Sequence, residues 1–285
     1  KKNWTEAIED ALITGAIACA ATALTAALCG SRQRGSAAAP INATSHVVHG
    51  RSAERVESID LKHTVLGFLI NAGAPPLAAW LPDAYPEASW SGTVFLSAFT
   101  TKLAIYALAR AYPGTEILIP IGAVMTAFPI FYAVIENDLR RVLAYSLNNQ
   151  LGFMVVGIGI GTELSLSGTA AHAFCHVIYK ALLFMSMGAV LFRVGTIKGS
   201  ELGGLYKSMP WTAGFCIVGA ASISAFPLFS GFVSKGLIIA AAMDQGYFWT
   251  WLVLLFASAG VFHHSGIKIP FFAFFAHDSG KRCDE

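Results

Sequence analysis

From residue 63 to residue 275 the chain is a succession of apolar runs of about 20 residues, separated only by short polar turns. A helix rises 1.5 Å per residue, so runs of this length match the hydrocarbon thickness of a bilayer. Inside a bilayer each backbone N–H and C=O must be satisfied within the protein, and a helix does this segment by segment. The fold class that follows is an all-α integral membrane protein. Composition agrees, with 13% charged residues, 55% hydrophobic residues and a mean hydropathy of +0.59. A soluble domain carries about a quarter charged residues. The net charge of +2 gives no electrostatic case for a nucleic-acid partner. The partner that these runs imply is the lipid bilayer.

About eight spans are expected, near 11–29, 63–81, 91–112, 115–136, 142–162, 167–193, 210–243 and 247–275. The last of them is divisible near Gly266. Two are broken helices, one near Pro75-Pro76 and one near Pro227, because proline removes a ladder hydrogen bond. Unwound backbone at membrane depth survives only where it is buried or lines a wet cavity. Paired breaks also mark transporters built from inverted repeats. The chain therefore divides into an N-terminal helix of unclear origin (1–30), read as a span, and a polar linker (31–62). The membrane domain (63–275) and a polar tail (276–285) follow. The localisation expected is a multi-pass protein of the cell, or inner, membrane.

The span at 167–193 carries His172, His176 and Lys180 at i, i+4 and i+8. On a helix these stack on one face, each about 6 Å above the last. A lysine at mid-bilayer costs roughly 2.5–3.5 kcal/mol on insertion scales. Histidines in membrane bundles also act as hydrogen-bonding glue between helices, and a lysine near a helix end can snorkel. Three aligned groups favour a column that faces a hydrated interior and handles protons. Lys102, inside the span at 91–112, and Lys235, beside the second break, extend the set of intramembrane amines.

Other motifs are weaker. The five cysteines are scattered, without a CxxC pair, and read as small hydrophobes. There is no P-loop, no GxGxxG after a strand, no HExxH and no GxSxG, so no cofactor, no metal centre and no soluble-type enzyme site are expected. Adjacent His263 and His264 point about 100° apart on a helix and read as interfacial rather than as a metal pair. Asp83 reads as a helix cap or loop anchor. Tyr247, Trp249 and Trp251 read as interface anchors. Arg193, Lys198 and Lys207 read as solvent-side charges.

A series of motifs now becomes recognisable. Trp80-Leu-Pro-Asp-Ala-Tyr-Pro-Glu-Ala88 is followed by Thr101-Lys-Leu-Ala-Ile-Tyr-Ala-Leu-Ala-Arg110. Then come Asp138-Leu-Arg-Arg-Val-Leu-Ala-Tyr-Ser146, Gln150-Leu-Gly152 and the His172–Phe184 stretch. Leu202-Gly-Gly-Leu205 and Ser224-Ala-Phe-Pro-Leu-Phe-Ser-Gly-Phe-Val-Ser-Lys235 complete the set. In this order they resemble the proton-conducting antiporter family, shared by Mrp-type monovalent cation/proton antiporters and the antiporter-like subunits of respiratory complex I. The resemblance covers about residues 64–275. The Tyr-Pro-Glu-Ala-Ser and Gly-Ile-Lys-Ile-Pro wording is nearest to the D-type subunits of the Mrp branch.

The resemblance implies a partial antiporter-like inverted-repeat fold. It also implies a proton pathway through Lys102, His172, His176, Lys180 and Lys235, with Arg140, Asn71 and Asp83 as accessory positions. Lys235 matches the group taken to gate exchange with one side of the membrane. Implied partners are other subunits of an antiporter complex, protons and monovalent cations (Na+ or K+). Burial disfavours the charged form of an amine, so such a row exchanges protons readily, and neighbouring cations couple successive sites.

Three departures stand beside the resemblance. Asn71 occupies the place of the family's lysine in the first broken helix, nine positions before Trp80, and an amide holds no proton at neutral pH. The family's membrane glutamate finds no counterpart in residues 1–62, whose acids (Glu6, Glu9, Asp10, Glu54, Glu57, Asp60) lie outside apolar spans. The family also has further helices before and after this region, so the chain reads as a fragment, a shortened paralogue or a fusion. The function expected is a proton-translocating subunit, not itself an enzyme. The competing readings are a non-conducting structural or assembly subunit, and a membrane-arm subunit of an NADH:quinone oxidoreductase-like complex.

Overall fold

The computed structural model of the chain describes residues 65–281. The expectations for residues 1–62, among them the span at 11–29, lie outside the described residues. Nine longer helices and two short 3-10 turns, Gly199–Glu201 and Leu205–Lys207, occur among the described residues. The longer helices are α1 (65–72), α2 (Trp80–Glu87), α3 (Gly92–Ala111), α4 (Leu118–Ile135), α5 (Leu139–Ile160), α6 (Glu163–Val194), α7 (Pro210–Ile223), α8 (Ser230–Asp244) and α9 (Phe248–Phe275). Of these, α3, α4, α6 and α9 are long and apolar enough to cross a membrane. No strand occurs among the described residues.

Both expected breaks are present. The first separates α1 from α2 across turns at 73–79, where the Pro75–Pro76 bond is cis. The second separates α7 from α8 at residues 224–229, where Ala225 and Leu228 have φ of 58° and 76°. Ser222 and Ser230 link their hydroxyls across this second gap at 3.0 Å. Gly231 lies so close to the Ser222 carbonyl that a Cβ there would collide with it. The last helix is continuous across Gly266, in place of the division there that the sequence allows. Its irregularity takes the form of π turns at Phe262–Ile267 and Phe271–Phe275.

The hub is α5, which packs against α2, α3, α4, α6 and α8. Its ends are set by sequence. The Asp138 carboxylate accepts from the amides of Arg140 (2.8 Å) and Arg141 (2.9 Å), and Gly161 ends the helix at φ 71°. Gly152 permits the close approach of α4: a Cβ there would stand 2.6 Å from the Thr126 nitrogen and 2.7 Å from the Gly122 oxygen. The next helix, α6, begins with the Thr162 hydroxyl accepting from the Ser165 amide (3.2 Å) and runs 32 residues antiparallel to α5. Large apolar side chains such as Phe95, Phe131, Phe174 and Trp211 face outward, more than half exposed. That is how a helix presents itself to lipid rather than to water.

Candidate functional site

Polar groups converge on the interior where α3, α5, α6 and α8 meet. Lys102 is 9% exposed, Lys235 1%, and His172, His176 and Lys180 are wholly buried. The i+4 column of α6 therefore turns inward as a unit, and α3 and α8 bring the two outer lysines beside it. Lys102 and Lys235 both lie within electrostatic reach of His172, His176 and Lys180.

The local partners differ along the row. The Lys102 ammonium donates to the Ser97 carbonyl (2.7 Å) and to the Thr101 hydroxyl (3.2 Å), at the π turn Leu96–Thr100. Lys235 donates to the Ile223 carbonyl at the C-terminal end of α7 (2.7 Å) and lies 5.4 Å over the Phe153 ring. The His172 Nδ1 and the Ser234 hydroxyl share a hydrogen bond of 2.9 Å, which ties the column to the helix of Lys235. Among the described residues neither ring nitrogen of His176 has a hydrogen-bond partner, nor has the Lys180 Nζ, which stands 5.7 Å from the Phe184 ring centre. The His172 and His176 rings are 6.1 Å apart, and Tyr179 stands edge-on to His176 at 5.3 Å. A polar side chain run continues from Tyr179 to Gln150 (3.4 Å), then Asn149 (2.6 Å), then the Thr126 carbonyl.

No carboxylate is buried among the described residues; each Asp and Glu there is exposed or half-buried. Five buried basic side chains without a buried counter-ion cannot all be charged at once at tolerable cost. The arrangement suits groups that take up and release protons in turn.

The accessory positions fall elsewhere. The Arg140 guanidinium donates to the carbonyls of Pro86 (2.9 Å) and Ala88 (2.9 Å) and to the Thr93 hydroxyl, so it clamps the turn between α2 and α3. Asp83 is exposed and pairs with Arg141 at 3.7 Å. Asn71, 4% exposed, donates to the Thr100 carbonyl (3.2 Å), and its Oδ1 has no partner among the described residues. It thus touches the same turn of α3 that holds Lys102.

One prediction needs correction. His263 is exposed, but His264 is fully buried rather than interfacial. The 100° between neighbours, which argues against a shared ligand, places one ring out and the other in. The signal available was the spacing to Lys268, one turn further along. Outside the membrane segments, the Thr196 hydroxyl donates to Glu201 (2.8 Å) and, with Lys198 and Lys281 nearby, holds that carboxyl below its usual range. No group of three His, Cys, Asp or Glu side chains close enough to hold a metal ion occurs among the described residues.

Two broken helices flanking a buried row of lysines and histidines, in an all-helical bundle, define a class: multi-pass membrane proteins with an ionisable interior. The chain belongs to the NADH:quinone oxidoreductase/Mrp antiporter transmembrane family, whose model matches residues 41–262. Over 190 residues it is 36% identical to the D-type Na(+)/H(+) antiporter subunit from Alkalihalophilus pseudofirmus, a match that spans 63% of this chain and 38% of that protein. Its fold is similar to a chain of the Mrp complex from Dietzia sp. (TM-score 0.78, 26% identity, 94% of this chain and 50% of that one). It is also similar to a chain of the membrane-bound sulfane sulfur reductase, an archaeal respiratory membrane complex (TM-score 0.80, 28% identity, 99% and 59%). The chain thus spans less than two thirds of the length of each.

Proposed function

We propose that the protein is a proton-translocating membrane subunit of a multi-subunit monovalent cation/proton antiporter in the cell membrane. Protons pass along Lys102, the His172–His176–Lys180 column and Lys235. The observation that carries this reading is the set of buried basic groups with no buried carboxylate beside it among the described residues. Two charges 6.1 Å apart, the spacing of the two imidazoles, repel by about 3 kcal/mol at an effective dielectric constant of about 20. A proton arriving at one histidine therefore drives its neighbour to release one, and the row moves charge in steps. Lys102 and Lys235, held by backbone carbonyls, are the places where a proton rests. His176 and Lys180, without side-chain hydrogen-bond partners among the described residues, pass it on.

Two observations favour other readings. Asn71 at the first break removes one titratable position, which favours a structural subunit. The similarity to a chain of a respiratory membrane complex favours a membrane-arm role.

The test is proton flux in proteoliposomes, followed with a pH-sensitive dye, with and without sodium or potassium. The parent protein is compared with Lys235→Ala and Lys180→Ala. Flux in the parent that both substitutions abolish supports the row, and dependence on one cation identifies the coupled ion. A silent parent that stays silent as Asn71→Lys, in membranes that hold it with its partner subunits, rejects conduction in favour of the structural role.

A further inference from the structure

His264 is the one buried ionisable group among the described residues of α9 that the row above leaves unused. It sits in the π turn Phe262–Ile267. Its Nδ1 shares a hydrogen bond with the Ser265 hydroxyl (2.9 Å), and Ser265 donates to the Ser146 hydroxyl of α5 (2.7 Å). Its Nε2 is buried and has no hydrogen-bond partner among the described residues. A buried imidazole with an idle nitrogen, joined to two serine hydroxyls in series, costs stability unless it is used.

A cavity and the row both lie near these three side chains. On the outer side, a cavity of about 420 Å3 lies where α4 ends, lined by Glu136, Asn137, His263, Lys268 and Phe271 among others. Lys268, one turn beyond His264, donates to the Ala133 (3.0 Å), Val134 (2.7 Å) and Glu136 (2.5 Å) carbonyls at that end of α4. On the inner side, Ser146 lies one turn before Gln150, which contacts Tyr179 beside Lys180. The charged or titratable groups that act on His264 are Lys180, Lys235, His263 and Lys268. It therefore lies within electrostatic reach of the row and next in sequence to His263, which lines the cavity.

We propose that His264, with Ser265 and Ser146, is a further proton-carrying site that joins this cavity to Lys180. It gives the row an access branch at the end of the bundle where α4 meets α5. The proton is held on the imidazole and handed along the two hydroxyls, each of which accepts one proton as it releases another, so no charge is left on the serines. This inference rests on the proposed row.

The experiment uses the protein as isolated from membranes with the subunits that accompany it, reconstituted for dye-monitored flux. His264→Gln keeps a polar group of similar size but cannot carry a proton. It lowers flux on the order of a hundredfold, the low end of what a positioned proton-transfer group contributes. Ser146→Ala, which removes only one hydroxyl, lowers flux with no change in assembly. His264→Ala regains flux when imidazole is added on the cavity side, an outcome that a merely structural histidine would not give. Lys180→Ala serves as the control for the row. Loss of flux in Lys180→Ala, with parental flux in His264→Gln or in Ser146→Ala, overturns the branch and leaves the row standing. Parental flux in Lys180→Ala overturns the row itself.

Discussion

Arg140→Lys separates an anchor from a proton carrier. The guanidinium makes two well-formed bonds, to Pro86 and Ala88, and a further contact with the Thr93 hydroxyl. A hydrogen bond from a charged donor contributes about 1.5–3 kcal/mol. The lysine ammonium is a point charge without the planar fork, so it keeps one of these bonds. Two are lost, which gives about 3–6 kcal/mol, and water reaching the half-buried turn brings the figure to about 3 kcal/mol. At roughly 2–4 °C per kcal/mol, the melting temperature of the purified protein falls by about 6–12 °C. Flux per folded molecule stays at the parental level, because Arg140 touches no member of the row. The assays are a thermal melt in lipid nanodiscs and dye-monitored flux below the melt. A parental melting temperature with flux abolished refutes the anchor and places Arg140 on the proton path. A parental melt with full flux refutes the energy assigned to the clamp.

Gly152→Ala puts a Cβ against backbone atoms of α4 that cannot rotate away, and it costs about 2–3 kcal/mol, read as a lower melting temperature. Asn71→Asp sets a carboxylate on the α3 turn that holds Lys102. The resulting pair traps the proton there, and flux falls about tenfold for each 1.4 kcal/mol of pairing. Ser234→Ala removes the only hydrogen bond of the His172 ring among the described residues, costs about 1 kcal/mol in a melt and leaves the column without its tie to α8. Glu201 has a folded-state carboxyl held below its usual range, so its contribution is present above that range and lost as pH falls through it. Limited proteolysis of the 195–209 connection therefore rises in acid, and Glu201→Gln shows the higher rate at neutral pH.

The spans and breaks are legible in the sequence because apolar length and proline act locally. The column is legible because 3.6 residues per turn fixes which side chains share a face. What stays hidden depends on distance in sequence. Arg140 bonds to carbonyls more than 50 residues earlier, and no spacing rule reports that. The hub helix α5 carries Asn148, Asn149 and Gln150 in its middle, which reads as an ordinary interruption of a span. Only the packing reveals those three as buried. The π turns of α3 and α9 leave no sequence signature, yet they supply the carbonyl for Lys102 and the site of His264. His264 itself is misplaced by the sequence because the rule about neighbours that excludes a shared ligand also separates an inward ring from an outward one.

A physical regularity links Arg140 and Lys268 with Lys235 of the proposed row. Arg140 bonds carbonyls at the C-terminal end of α2, Lys268 at that of α4, and Lys235 at that of α7. Each of these ends has carbonyls without helical partners and the negative pole of the helix dipole. In a core without buried carboxylates among the described residues, helix ends and π turns take over as counter-charges. They are partial charges, roughly half an elementary charge at a helix end, so they steady a proton without locking it as a full carboxylate would. Lys180 lies in the middle of an unbroken 32-residue helix and has neither kind of partner among the described residues. On the proposed row a proton is therefore less well held at Lys180 than at Lys102 and Lys235, and Lys180 is the barrier between two wells. Phe184→Glu, one turn along α6 where the ring now faces the Lys180 ammonium, replaces that barrier with a trap. Flux then stops while the variant still assembles in the membrane, and parental flux in an assembled Phe184→Glu protein refutes the barrier. On the proposed row, the second break supplies the α7 end that holds Lys235, the π turn of the continuous helix α3 holds Lys102, and the unbroken α6 between them is the step.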